Sequence, residues 1–324
     1  MTSGALQIGC PADLSSFPAG MTGYTSTLCF IKRIAVFRLL LNQTSMSNEY
    51  LATGFACVDD REDAKPYADC LTLLDSLPYF QEYKQRSYEL LALEPGLSVL
   101  EVGCGLGDDA RRMAEKVAPD GLIIGMDASA KLIGDASRLA SSNPLIHWVQ
   151  ADARRLPFAP ESFDRCRVDR TLQHIAQPEA AIREMARVLK PGGILLAYDN
   201  DWGTFTINAK PENVTQIIEG LWQDSITNRW IGRNLKRLFV DAGLNEVRIE
   251  PSVSVMTEFE TADQVYNIIQ TMDKAVAMGL ITPSIAESWL AGVKELSHVG
   301  LFLCTLTTFT VTGIKSENPE KGWL

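Results

Sequence analysis

Nine residues, Val99-Leu-Glu-Val-Gly-Cys-Gly-Leu-Gly107, set an acidic side chain just ahead of a glycine-rich turn. The apolar run ending at Glu101 reads as a strand. Gly103, Cys104 and Gly105 read as a tight turn opening a helix, where glycine lets backbone approach a ligand closely. A G-x-G-x-x-G spacing would point to a dinucleotide. Here the spacing is G-x-G-x-G, and a carboxylate two residues before it suits an amino group or a bound water better than a pyrophosphate. Asp127 ends a second apolar run, Ile123-Ile-Gly-Met-Asp, where an acid can take both hydroxyls of a ribose. Asp152, in Gln150-Ala-Asp-Ala, ends a third run and can accept from the exocyclic amine of an adenine.

Groups that could move protons follow. His174, in Asp169-Arg-Thr-Leu-Gln-His-Ile, lies just past a fourth strand, where an imidazole can take a proton near neutral pH. His147 reads as structural and His298 as a second, weaker candidate base. Asp199 and its neighbours in Tyr198-Asp-Asn-Asp-Trp202 can orient an acceptor or take a proton. The aromatics Tyr83, Trp202, Phe205, Trp222, Trp230, Tyr266 and Trp289 together imply a sizeable apolar pocket, with Tyr83, Asp199, Trp202 and Trp230 as candidate acceptor contacts. Lys84, Arg86 and Arg229 read as solvated.

These residues need a scaffold that brings successive strand ends to one edge. Strands are expected at 97–102, 122–126, 146–150, 163–168 and 194–198, with helices at 108–117, 129–141 and 178–189 between them. Such alternation implies a parallel sheet covered by helices on both faces. Lys190-Pro-Gly-Gly reads as a turn. Before the sheet, residues 47–94 read as a helical cap broken at Pro78. After it, helices are expected at 211–226 and 233–242, and strands at 246–255 and 301–314. Helical insertions near 202–232 and 257–298 would then lie over the ligand edge as lids. Residues 1–46 read as a peripheral extension: a transit peptide, or sequence upstream of a start at Met46.

Composition bounds the function. The chain has 324 residues, 30 Lys and Arg against 40 Asp and Glu, and a net charge of −10, which disfavours a nucleic-acid partner. The seven cysteines are odd in number and show no C-x-x-C pair, so a disulfide framework is not expected and a reducing compartment, the cytoplasm, fits. No Cys or His cluster has zinc spacing. The best apolar run, Leu28 to Leu41, is too short and too basic to span a membrane.

The segments VLEVGCGLG, GMDAS, ADARRLPFAPESFD, LQHIAQPEAAIREMARVLKPGG and ILLAYD resemble those of the class I S-adenosylmethionine-dependent methyltransferases, in particular the ubiquinone/menaquinone-methyltransferase-like branch. The resemblance implies a Rossmann-like α/β sandwich with a seven-stranded, mostly parallel sheet whose last strand is antiparallel. It implies S-adenosylmethionine as cofactor and S-adenosylhomocysteine as product. Glu101, Gly103 and Gly105, with Cys104 in the same turn, would line the methionine part. Asp127 and Ala128 would hold the ribose, Asp152 and Ala153 the adenine, and Asp169 and Arg170 would border the sulfonium. Lys84 or Arg86 could reach the cofactor carboxylate. Asp169, Asp199 and Asn200 are also similar to the oxygen-donor set of metal-dependent catechol-type enzymes, although the surrounding sequence resembles the metal-independent branch and no metal is expected. The acceptor implied is a small apolar or aromatic metabolite methylated on O or N. C-methylation of a quinol-like ring and a non-catalytic cofactor-binding protein are the alternatives, and a nicotinamide oxidoreductase is a more distant rival. Oligomeric state is open.

Overall fold

The computed structural model describes residues 54–140 and 143–317. The extension expected over 1–46 and the first residues of the cap lie outside the described residues. A 3-10 segment, Phe55–Asp60, leads into helices α1 (Lys65–Ser76) and α2 (Pro78–Leu90). Leu77 between them is extended, and Pro78 opens α2 at a position where its missing N–H costs no hydrogen bond.

Five parallel strands follow: β1 (Ser98–Val102), β2 (Leu122–Asp127), β3 (Ile146–Gln150), β4 (Phe163–Asp169) and β5 (Leu189–Asn200). Between them run α3 (Asp108–Val117), α4 (Ala130–Leu139) and α5 (Pro178–Val188). Helix α3 forms where Ala110, Met113, Ala114 and Val117 make one buried stripe, with acids in its first turn and Lys116 in its last. Helix α4 is capped twice. The Ser129 side chain accepts from Leu132 N, and Asp59 accepts from Ser129 Oγ at 2.5 Å and Ala130 N at 2.7 Å.

The C-terminal part adds β6 (Thr206–Ile207), α6 (Glu212–Ser225), α7 (Ile231–Asp241), β7 (Leu244–Met256), α8 (Phe259–Tyr266), α9 (Ile268–Ala277), α10 (Pro283–His298) and β8 (Cys304–Lys315). The sheet order is β3-β2-β1-β4-β5-β8, with β7 on the far side of β8 and the two-residue β6 pairing with the start of β8. Strand β8 is antiparallel to both β5 and β7. This is the expected parallel sheet with an antiparallel last strand, and β6 is one short strand more than the seven expected. The Lys190-Pro-Gly-Gly turn is a bulge inside β5: Phe163 pairs with Leu189, and the next pair is Arg165 with Ile194.

Three of the four apolar clusters among the described residues join the large elements. Helices α2 and α3 pack on one face of the sheet through Tyr88, Leu91, Met113 and Val117. Helices α5 and α7 pack on the other through Ile182, Met185, Leu235 and Phe239. A third cluster joins the cap residues Leu74 and Phe80 to Trp202, Trp222, Tyr266 and Trp289 of the C-terminal elements. It reaches the parallel strands at the end of β5, through Tyr198.

Candidate active site

The β1–α3 turn is held by its own backbone. Gly103 N and Cys104 N both donate to Met126 O, at 2.7 and 2.9 Å. Gly103 and Gly105 have φ of 74° and 53°, in the left-handed region. A Cβ on Gly103 would lie 2.0 Å from Thr171 Oγ1, so glycine is what lets the turn nest against the segment after β4.

A cleft of about 370 Å³ opens at this edge, within the range of small-molecule sites. Gly103, Gly105, Asp127, Ala128, Asp152, Ala153, Asp169 and Arg170 all line it. Asp127 accepts from Gly105 N at 3.0 Å and Ser129 N at 2.9 Å, and burial raises its carboxyl despite these bonds. Asp152 is half exposed and paired with Arg154 at 2.6 Å, whose side chain lowers its carboxyl. Its oxygens would share Arg154 with any amine ligand.

Glu101 and Cys104 do not line the cleft. Cys104 is buried and packs beside Gly125. Glu101 faces its partner in the register of the sheet, Arg167 on β4, at 2.8 Å. Arg167 is fully buried and also reaches Asp169 at 2.8 Å and Ser87 Oγ at 3.1 Å. Burial, reinforced by the nearby Asp109 carboxylate, pushes the Glu101 carboxyl up to about 8, and its Oε2 has no hydrogen-bond partner. Burial also works against charge on Asp109, but Arg167 and Lys84 hold its carboxyl below the usual range. Lys84 therefore is not solvated as expected: it is buried, 2.5 Å from Asp109 and 3.5 Å from Asp75. Arg86 is exposed and pairs with Glu250 and Glu89.

A second cavity, about 70 Å³, adjoins the cleft and shares Phe55, Leu74, Arg170, Gln173 and His174 with it. Its other walls include Tyr79, Phe80, Tyr198, Trp202, Trp222 and Tyr266. The expected pocket is thus aromatic but small, below the roughly 150 Å³ of an apolar cavity that admits benzene. One wall is a cluster of hydroxyls: Tyr79 Oη lies 3.0 Å from Tyr198 Oη and 2.9 Å from Thr308 Oγ1.

Gln173 organises the boundary, a role the sequence reading missed. Its Oε1 accepts from Trp202 Nε1 at 2.7 Å and Asn200 Nδ2 at 3.0 Å. Its Nε2 donates to Arg170 O at 2.9 Å and lies 3.1 Å from His174 Nε2. With the amide orientation set by two donors, His174 Nε2 must accept, leaving the ring proton on Nδ1. Burial, then the Arg170 charge, pushes the imidazole down to about 4. An amide in a buried Leu-Gln-His run is the signal that could have revealed Gln173; in the charged strand Phe163-Asp-Arg-Cys-Arg-Val-Asp169 nothing local marks Arg167 apart from Arg165.

The candidate acceptor contacts separate. Trp202 lines the small cavity. Tyr83 sits behind it, stacked on Tyr198 at 3.7 Å and donating to both oxygens of Asp169 at 3.1–3.2 Å. Asp199 is fully buried, accepting from Gln173 N and Asn200 N, and burial pushes it up to about 8. Trp230 is 47% exposed beneath the Arg229 guanidinium and lines neither cavity. Asp169, Asp199 and Asn200 thus turn toward different protein partners, and no group of three His, Cys, Asp or Glu among the described residues is arranged to hold a metal. His147 and His298 are exposed, away from both cavities.

Comparisons with known proteins agree with this geometry. A family model described as a methyltransferase domain matches residues 100–197. An uncharacterized 37.1 kDa protein in transposon TN4556 of Streptomyces fradiae is 33% identical over 250 residues, 77% of this chain and 70% of that protein. The ubiquinone/menaquinone biosynthesis C-methyltransferase UbiE of Bordetella parapertussis is 32% identical over 169 residues, 49% of this chain and 64% of that protein. A solved structure of phosphoethanolamine N-methyltransferase 2 from Haemonchus contortus, in complex with S-adenosyl-L-methionine, is similar in fold, with a TM-score of 0.52 at 16% identity over 81% of this chain and 60% of that one.

Proposed function

Because the chain belongs to the class I S-adenosylmethionine-dependent methyltransferases, we propose that it methylates an oxygen or nitrogen atom of a small aromatic acceptor. The observation that carries this reading is the aromatic-walled cavity that shares Arg170, Gln173 and His174 with the cofactor cleft; it is too small to enclose a ring by itself, so in this reading the acceptor lies across that shared boundary and the aromatic walls widen to take it. The cleft fits the cofactor: a half-buried carboxylate at the end of β2, an exposed one just past the end of β3, and a glycine turn between them and β4. In this reading Asp127 takes the ribose hydroxyls, the Asp152 segment the adenine edge, and the Gly103–Gly105 turn with Asp169 the methionine part. Bound there, S-adenosylmethionine supplies a methyl group already activated on sulfonium sulfur.

The residues of the chain then align and desolvate. Trp202 and Tyr198 offer flat apolar surface to a ring, and Gln173 keeps Trp202 and His174 in fixed orientation. His174 takes a proton only if Gln173 releases Nε2. A second reading, C-methylation of a quinol-like ring, draws support from the likeness to UbiE, which is named a C-methyltransferase.

The test is turnover. Purified protein with S-adenosylmethionine and a panel of phenols, quinols and aryl amines should form S-adenosylhomocysteine with at least one of them. Product mass and fragmentation distinguish O-, N- and C-methylation. Cofactor binding with no turnover across the panel would favour a non-catalytic cofactor-binding protein. No helix among the described residues is long and apolar enough to cross a membrane. The cytoplasm is the compartment we propose, on the cysteine argument.

A further inference from the structure

Resting on that reading, we propose that Arg170 is the acceptor's anion site, and that the acceptor carries an acidic aromatic hydroxyl which binds ionised on this guanidinium. Arg170 lies at the boundary, lining both the cofactor cleft and the small cavity. It is the one charged residue among those lining the small cavity, where no Asp or Glu appears. Its Nε is buried without a hydrogen-bond partner. The nearest acid, Asp169, is 3.5 Å away, and both oxygens of Asp169 are already engaged by Tyr83 and Arg167. The guanidinium lies 4.9 Å over the Phe80 ring, a face that attracts a cation but accepts no conventional hydrogen bond. The backbone holds it in place: φ is 48°, in the left-handed region, and its N–H donates to Tyr198 O at 2.8 Å.

A buried cation with spare donors is costly unless an anion meets it. A planar guanidinium offers parallel donors to an oxyanion. A protonated amine would meet a like charge there, and the one carboxylate beside it, Asp169, is already engaged by Tyr83 and Arg167. The aromatic walls select a ring. Together these features favour an ionised aromatic hydroxyl and disfavour a cationic acceptor.

The balance of the step is simple. The hydroxyl proton goes to bulk water on binding. An electron pair from the phenolate oxygen, or from a ring carbon conjugated with it, forms the bond to the methyl carbon. The carbon–sulfur bond breaks, and its pair remains on sulfur. An anion and a sulfonium thus become two neutral groups; on the oxygen path no protein base is required, and on the carbon path the neutral dienone afterwards loses its ring proton to water while its oxygen takes one up, restoring the aromatic ring.

The probe is 4-nitrophenol, whose phenolate is coloured, titrated into protein saturated with S-adenosylhomocysteine and buffered below the pKa of the free probe. Wild type should develop phenolate colour on binding. Arg170→Gln should bind the ionised probe about tenfold more weakly or worse, and Arg170→Lys should retain part of the signal. Benzylammonium should not compete. Binding of the neutral probe only, no binding to wild type, or undiminished colour in Arg170→Gln would each overturn the proposal. Affinities for S-adenosylhomocysteine and 5′-methylthioadenosine, which lacks the carboxylate, should both survive Arg170→Gln. A tenfold loss for the first alone would instead assign the guanidinium to the cofactor's carboxylate. If Arg170→Gln does not fold, the wild-type colour and Arg170→Lys decide the matter. Wild type that binds no S-adenosylhomocysteine would overturn the underlying methyltransferase reading as well.

Discussion

The Nε2 of His174 lies 3.1 Å from the Nε2 of Gln173, and the amide is the donor. The lone pair that a general base would use is therefore already occupied. His174→Ala should accordingly lower kcat by less than about 100-fold, with cofactor affinity nearly unchanged. A loss of about 10²–10⁴-fold, the usual range for removing a general base, would mean that Gln173 releases the imidazole during turnover. Steady-state kinetics on the acceptor found by the panel decide between the two.

The same imidazole makes stability depend on pH. Its folded pKa is depressed to about 4, below the ordinary value of about 6.5. Between these values the unfolded chain binds a proton that the folded chain does not. The stability tied to this group is therefore present above about 6.5 and lost as pH falls toward 4. It amounts to no more than about 3 kcal/mol. Urea denaturation at pH 7 and pH 4.5 should show wild type losing more stability than His174→Gln. Equal losses would contradict the depressed pKa.

Asp127 and Asp152 should differ in their hold on the cofactor. Asp127 is largely buried and braced by two backbone amides, whereas Asp152 is half exposed and shared with Arg154. Asp127→Ala should weaken S-adenosylhomocysteine binding by about 1.5–3 kcal/mol, and Asp152→Ala by less than about 1 kcal/mol. Isothermal titration calorimetry measures both. Equal effects would reject the assignment of the ribose to Asp127.

Arg167 and Glu101 should respond unequally to substitution, although they pair at 2.8 Å. Arg167→Leu removes the buried cation shared by Asp109 and Asp169, leaving Asp109 on Lys84 and Asp169 on the Tyr83 hydroxyl, and should cost about 3–5 kcal/mol. Glu101→Gln should cost less than about 1 kcal/mol at pH 7, because burial already favours the neutral acid. Thermal or urea unfolding distinguishes these. A Glu101→Gln variant as damaged as Arg167→Leu would mean that Glu101 is ionised in the fold.

The core from 97 to 200 is legible in the sequence because its signals are local. Short apolar runs end in Glu101, Asp127 and Gln150, and helices such as Asp108–Val117 carry their own stripe and terminal charges. The residues that meet at the cleft are legible for the same reason, since strand ends of a parallel sheet share an edge. What is not legible depends on partners distant in the chain. Lys84 looks solvated in its helix until Asp109 and Asp75 are placed against it. Glu101 looks like a ligand contact until Arg167 arrives from β4. Trp230 counts as an aromatic like any other, and only the packing of Arg229 and Arg233 over its ring shows that it stays outside.

Strand β8 is the last of the described strands yet interior in the sheet, between β5 and β7. During synthesis β5 and β7 therefore each wait with an open hydrogen-bonding edge until residues 304–315 leave the ribosome, a state in which strands are prone to pair with the wrong neighbour. A chain stopped before Cys304 leaves the β5 edge uncovered and β7 with no partner strand. It also lacks Leu306 and Thr308 from the wall of the small cavity, while every residue lining the cofactor cleft, from Phe55 to Ala176, has already been made. Translation thus completes the half that faces the cofactor long before the half that would choose the acceptor.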